Sequence, residues 1–349
     1  MGGSEGVRVN NCSLTRLDGN GIFVGGYARN LSIEQNEFSY IGGSCIAAWG
    51  DTSSALNANG TVSVPGGYKV GPDGRGGEQP RGCRVVGNIA HDFGIWQKQS
   101  AFWFQAVTAL TLLQGNVVFN SPRAQLNFND QFGGGDQILH NLLVNAVRES
   151  DDHGPYNSWS RVPYISTLRT GVPSIIPKVR VLSRNFIVAN YGPGKERTST
   201  GAGLYEQVDA IDTDDGSAYV VARGNFLAYG GYGLKSDFGG HDNKYDSNVL
   251  AYVGNCYHTN YMNRYVGYND AFTNNSCIFR KGYNSDCDVA AGWEVHDNDV
   301  YSQSGSLGKI CGMNFSSWQK EGHDHGTRVH RWPESSHLIS MAHAVLGTS

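Results

Sequence analysis

NFLAYGGYGLKSDFGG at 225–240 and NVLAYVGN at 248–255 begin alike 23 residues apart, and this repetition decides the fold. Each opens on Asn, runs into a short apolar strand and reaches a Gly-containing turn. The same plan is found in NCSLTRLDGNGIFVGG (11–26), NEFSYIGGSCIAAWG (36–50), NVVFNSPRAQLNFND (116–130), NLLVNAVRESDDHG (141–154) and NFIVANYG (185–192). A leading Asn stands at 11, 36, 88, 116, 141, 185, 225, 248, 275 and 298, with a step of 23 to 28 residues where no loop intervenes.

That step suits one coil of a solenoid, in which three short strands are joined by turns. A leucine-rich repeat needs a dense Leu consensus and a helical side, and a propeller blade needs about 40 residues. The expected fold is therefore all-β: a single right-handed parallel β-helix with long loop insertions. The turn Asn is expected to stack coil on coil through shared amide hydrogen bonds while tolerating the left-handed backbone region. The β-helix is expected over 1–311, with insertions near 51–82, 155–178 and 191–204 and a tail or cap at 312–349. The chain starts inside the repeat, so further N-terminal coils are expected to be missing.

Composition agrees with short strands and tight turns: Gly is the commonest residue at 47, with 18 Tyr and 14 Phe. A net charge of −4 with 17% charged residues leaves no basic stripe for nucleic acid. No run reaches 18 apolar residues, and no apolar signal segment follows Met1. The seven Cys (12, 45, 83, 256, 277, 287, 311) show no CxxC pair, so no metal site is expected from them, and they read as small buried packing residues. Asn-x-Ser/Thr sequons at 11, 30, 59, 274 and 314 permit glycosylation on a secretory route.

Aligning the units by their leading Asn stacks polar residues on successive coils. One coil presents Arg123, Asn127, Asn129, Asp130 and Gln131. The next presents Arg148, Glu149, Asp151, Asp152 and His153. Further on come Asp209, Asp212, Asp214, Asp215 and Ser217, and one coil later Lys235, Asp237, His241 and Asp242. Asp212 then falls beside Lys235 and Asp214 beside Asp237. Coils stack about 4.8 Å apart, so like charges in register are costly unless a cation, a proton or a substrate answers them. Paired carboxylates with separated pKa values are what glycoside hydrolysis requires. Any one Asp could simply end a strand, but the cluster of Asp152, Asp212, Asp214 and Asp215 with His153 reads as catalytic. Arg123, Asn129, Asp130, Glu149, Tyr156, Trp159, Arg161, Lys235, Asp237 and His241 read as substrate-binding. Trp96 and Trp103 are further aromatic candidates, although Trp103 also fits a core position. His323 and His325 fall in the weakly repeating tail and read as surface residues.

SAFWFQAVTALTLLQGNVVFNSPRAQLNFNDQFGGG (100–135), RESDDHGPYNSWSRVPY (148–164) and IDTDDGSAY (211–219) resemble right-handed parallel β-helix proteins similar to glycoside hydrolase family 141. The resemblance implies action on plant, algal or microbial glycans, of fucosidase or xylanase type, with acid–base work at Asp152, Asp212, Asp214 and Asp215. It also implies an extracellular or secretory location. Gln125 stands where Gly is expected, which would narrow the floor of the groove.

The leading expectation is a monomeric glycosidase acting on a polysaccharide through paired Asp residues, with no cofactor. One alternative is a polysaccharide lyase or uronate epimerase, with Ca²⁺ on the acids and Lys235, an Arg or His153 as base. The other is a non-catalytic glycan-binding or structural solenoid.

Overall fold

The computed structural model describes residues 3–50, 77–129, 133–150, 152–160, 164–166, 175–190, 208–260, 269–284 and 293–348. Strand accounts for 49% of it, and the helices Phe315–Lys320 and Ser335–Leu346 lie at the C-terminal end, so the chain is all-β as expected. Two large parallel sheets dominate, one of seventeen strands and one of ten.

Each repeat adds one strand to each of three strips. The first strip is the ten-stranded sheet, from Arg8–Asn10 through Leu112–Gln114 and Gln137–Leu139 to Glu294–His296. The second includes Val117–Phe119, Leu142–Val144 and Phe186–Asn190, and the third Trp103–Ala106, Leu126–Phe128, Tyr156–Ser158 and Asp209–Thr213. The twelve-residue strands Phe226–Asp237 and Val249–Asn260 run through both of these strips and join them into one sheet.

A ladder of buried asparagines ties the repeats together. It comprises Asn36, Asn88, Asn116, Asn141, Asn185, Asn225, Asn248, Asn275 and Asn298. The backbone N–H and Nδ2 of Asn116 both donate to Oδ1 of Asn141, at 3.0 and 2.9 Å. Asn141 Nδ2 in turn donates to the Leu113 carbonyl at 3.0 Å as well as to Asn185. Every amide in the column is thus satisfied without water, as burial demands.

Two details differ from the expectation. The left-handed position is not the ladder Asn but the residue before it: Gln35, Gly87, Gly115, His140, Arg184, Gly224, Ser247, Asn274 and Asp297 have φ between 54° and 65°. The corner is turned one residue early, leaving the Asn free to begin the next strand. Asn11 (φ 52°) belongs to this corner set, and it is the Cys12 N–H that donates to Asn36 Oδ1. At the other end Thr327 replaces Asn and accepts from the Asn298 N–H.

Inward positions form one long core that includes Ile33, Phe38, Val85, Trp103, Leu113, Leu126, Ile138, Ile211, Leu234 and Tyr257. Trp103 is fully buried there, so it presents no face to a ligand. Tyr156 is also fully buried, in register with Leu126 and Ile211, because Tyr156–Ser158 is core strand and not the start of a loop. Of the expected insertions, 51–76 and 191–204 lie outside the described residues. The third contains the antiparallel pair Tyr164–Ser166 and Ile175–Pro177.

The sheet continues past residue 311, because Arg328–Arg331 pairs in parallel with Asp299–Ser302. Helix Ser335–Leu346 then lays Leu338, Met341, Ala342 and Val345 on Phe226, Ala228, Val249 and Ile278. Its apolar stripe explains why those outward strand positions are apolar. The cysteines divide: Cys45 and Cys83 are buried thiols, whereas Cys256 and Cys277 are disulfide-bonded on neighbouring strands. Packing alone therefore does not account for all of them.

Candidate functional site

One outward column of the third strip carries the site. In parallel register it runs Phe23, Ala47, Phe104, Asn127, Asn157, Asp212, Lys235, His258. Aromatic residues occupy its N-terminal end and ionisable ones its C-terminal end. Asp212 falls beside Lys235, the neighbour that the 23-residue step implied.

Lys235 is the hub. Its ammonium hydrogen-bonds Asp214 Oδ1 at 2.8 Å and lies 3.1 Å from Asp212 Oδ1 and 3.2 Å from Asp237 Oδ2. Asp212 and Asp237 are buried, while Asp214 and Lys235 keep 15% and 12% of their side chains exposed. The reachable edge of the cluster is therefore Asp214 with Lys235. Asp212 also accepts from Asn157 Nδ2 at 3.1 Å, and the Asp215 N–H donates to Asp237 Oδ1 at 2.9 Å from a left-handed turn (φ 48°).

Three carboxylates around one cation cannot all ionise freely. Burial, opposed in part by Lys235 and reinforced by Asp214, pushes Asp237 up to about 7. Burial likewise lifts Asp212 well above the usual carboxylate range. For Lys235 burial works against the ammonium, but Asp212, Asp209, Asp237 and Asp214 outweigh it and hold its proton more tightly than usual.

His153 borders the same edge, its Nε2 3.9 Å from Asp214 Oδ2 and 3.6 Å from Asp152 Oδ2. Arg123 Nη2 donates to His153 Nε2 at 2.9 Å and also pairs with Asp152. Burial, against the pull of Asp152 and with the help of Arg123, lowers His153 to about 4, so near neutrality it is an uncharged acceptor. Gly154 allows this segment to dock: a Cβ there would stand 1.6 Å from the Asp209 carbonyl oxygen.

Seven expected residues thus meet in one connected cluster: Arg123, Asp152, His153, Asp212, Asp214, Lys235 and Asp237. Asn129 and Trp159 adjoin it, with Trp159 Nε1 and Asn127 Nδ2 both donating to Asn129 Oδ1, at 2.9 and 2.6 Å. Asp130 and Arg161 lie outside the described residues. Others point elsewhere. Glu149 pairs with Lys98 at the surface at 2.8 Å. His241 is buried against Asp242 and edge-on to Tyr219. Tyr156 is core, and Gln125 is buried with Nε2 donating to the Val118 and Val144 carbonyls, so it does not floor a groove.

The sequence placed Asp209 in the polar stack without a role and did not single out Asn157 or His258. Asp209 lies 3.7 Å from His258 Nδ1, and His258 stacks on Tyr232 with centroids 4.9 Å apart. One more 23-residue step from Lys235 leads to His258 and was the signal available. Three levels before Asp212 the column becomes apolar, and Phe23, Trp49 and Phe104 line a cleft of about 350 Å³ with Gln97 and Gln99. Comparison of the chain with protein-family models, with characterised proteins and with solved structures found no match.

Proposed function

We propose that the stacked repeats wind as a right-handed parallel β-helix and that the chain is a glycoside hydrolase acting on a polysaccharide. The observation that carries this reading is the Lys235 ammonium held by Asp214 and Asp237, one carboxylate at the exposed edge and one pushed up to about 7. An ionised carboxylate beside a protonated one is the division of labour that acetal cleavage needs. Asp214 is the member that a substrate can reach, positioned by Lys235 and neighboured by neutral His153. Asp237, buried behind that edge, holds the proton on which the edge draws. Both reach the same ammonium, so these two oxygens lie at most about 6 Å apart. That supports the closer spacing of retaining enzymes over the roughly 6.5–9.5 Å of inverting ones.

The aromatic cleft supports a polymeric substrate. Phe104 and Asp212 share a column three levels apart, which is roughly 14 Å at about 4.8 Å per level. Asp152, Asp209, Asp212, Asp214 and Asp237 outnumber Arg123 and Lys235 here, which favours a neutral glycan over a uronate and so disfavours the lyase reading. The Cys256–Cys277 disulfide favours a secretory route. Among the described residues no helix is long and apolar enough to cross a membrane.

The test is a panel of neutral plant, algal and microbial glycans, with products read by mass spectrometry. Asp214→Asn and Asp237→Asn are each expected to remove about 10²-fold or more of any turnover. Turnover that persists in both variants, or glycan binding with no product from the wild type, would overturn the reading.

A further inference from the structure

We propose that His296, Asp297 and His325 form a binding site for a divalent transition-metal ion of the zinc or copper type. His296 ends the strand Glu294–His296, and Asp297 turns the corner at φ 56°. His325 is the parallel bridge partner of His296 one level on, and the Asp297 N–H donates to its carbonyl at 2.9 Å. The two imidazoles therefore lie one over the other, with centroids 4.7 Å apart and planes 21° from parallel. Asp297 Oδ2 stands 2.8 Å from His296 Nδ1, and one donor atom from each of the three residues lies within 4.8 Å of the others. Gly326 makes room for the carboxylate, since a Cβ there would stand 1.9 Å from Asp297 Oδ1.

The His–Asp pair alone does not carry the proposal. His91–Asp92 and His241–Asp242 make the same contact, at 2.9 and 2.8 Å, with Asp at φ 50° and 54°. At the first of these the next level places Phe119 against the imidazole. Among the described residues only the corner at 296–297 meets a second imidazole and completes a three-donor group.

Two imidazoles and a carboxylate are a borderline donor set, suited to zinc or copper and poorly suited to the all-oxygen demands of calcium or magnesium. Ligand bonds of about 2.0–2.2 Å around a tetrahedral ion place donors about 3.3 Å apart. The donors lie within 4.8 Å of one another, and the exposed His325 side chain is not locked by packing. A cleft of about 440 Å³ opens on the same histidines, bordered by Glu294, Trp318 and His323. His323 stacks on Trp318 with centroids 4.0 Å apart and lines the same cleft. None of these residues belongs to the Lys235 cluster, so the proposal stands or falls independently of the hydrolase reading.

The experiment uses the full chain stripped with EDTA, titrated with Zn²⁺ by calorimetry and with Co²⁺ by visible absorbance. Saturable one-to-one binding is expected, weakened at least about tenfold in His325→Ala and in Asp297→Asn. Circular dichroism of the metal-free variants is expected to match the wild type, because both side chains are exposed. No saturable binding up to millimolar metal would overturn the site, as would wild-type affinity in either variant.

Discussion

Lys235 stacks on Asp212 in parallel register, its ammonium 3.1 Å from Oδ1 of that buried carboxylate. The register supplies this contact, and the same ammonium then gathers Asp214 and Asp237. Removing the cation leaves three acids facing one another in a partly dry site.

Lys235→Met is accordingly expected to destabilise the fold by about 3–5 kcal/mol at neutral pH, the cost of stranding buried charge. Adding Asp212→Asn should recover part of the loss, with a coupling of at least about 1 kcal/mol in urea unfolding. Additive single and double variants would show that Lys235 does not answer Asp212.

The pH dependence of stability separates two opposing groups. Asp237, raised from 3.8 to about 7, binds its proton more tightly in the folded state. Its contribution is complete below about pH 4 and is lost as pH rises to about 7. His153, lowered from 6.5 to about 4, acts the other way: its contribution is complete above about pH 6.5 and is lost as pH falls towards 4. Asp237→Asn should therefore tilt the pH 4–7 stability curve upward with pH, and His153→Gln should tilt it downward. Unfolding midpoints across that window measure both slopes, and parallel curves for all three proteins would contradict the assignment.

Asn141→Ala removes the acceptor of two Asn116 donors and a donor to the Leu113 carbonyl, all in the interior. Stranded buried polar groups cost about 1–3 kcal/mol each, so a loss of about 3 kcal/mol or more is expected. Asn11→Ala, at an exposed left-handed corner outside the ladder, should cost only about 1 kcal/mol, the backbone penalty of that conformation. Equal losses at the two positions in chemical denaturation would argue against the ladder as the main tie between repeats.

Gly154→Ala places a Cβ 1.6 Å from the Asp209 carbonyl oxygen, which forces the two segments apart. The expected cost is about 1–3 kcal/mol, with displacement of neighbouring His153. The histidine ring resonances in NMR spectra should move for His153 while those of distant His343 stay fixed. Unchanged His153 resonances would show that the segment absorbs the methyl without moving.

Much of this architecture was legible because parallel stacking turns sequence spacing into distance. The Asn at 225, 248, 275 and 298 follow one another without long insertions, and they are consecutive rungs of the ladder. The same spacing paired Asp212 with Lys235 and, read one step further, would have found His258. It misled at the first corner, where Asn11 carries the right residue type one position early, because a corner Asn and a ladder Asn look alike without neighbours.

Strand alternation and turn chemistry are local and recur in every unit, so the repeat, its period and the order of outward residues follow from the residues alone. Which acids share a cation depends instead on how the folded chain returns. Glu149 and Asp152 are close in the chain, yet Glu149 turns to Lys98 while Asp152 joins Arg123 at the edge of the cluster. The tertiary structure alone also brought His325 onto His296, across an irregular stretch after which Thr327, not Asn, takes the next rung. The physical reason is common to both. A loop's length and path set where the next strand lands, and side chains that meet across such a return are chosen by geometry that periodicity does not encode.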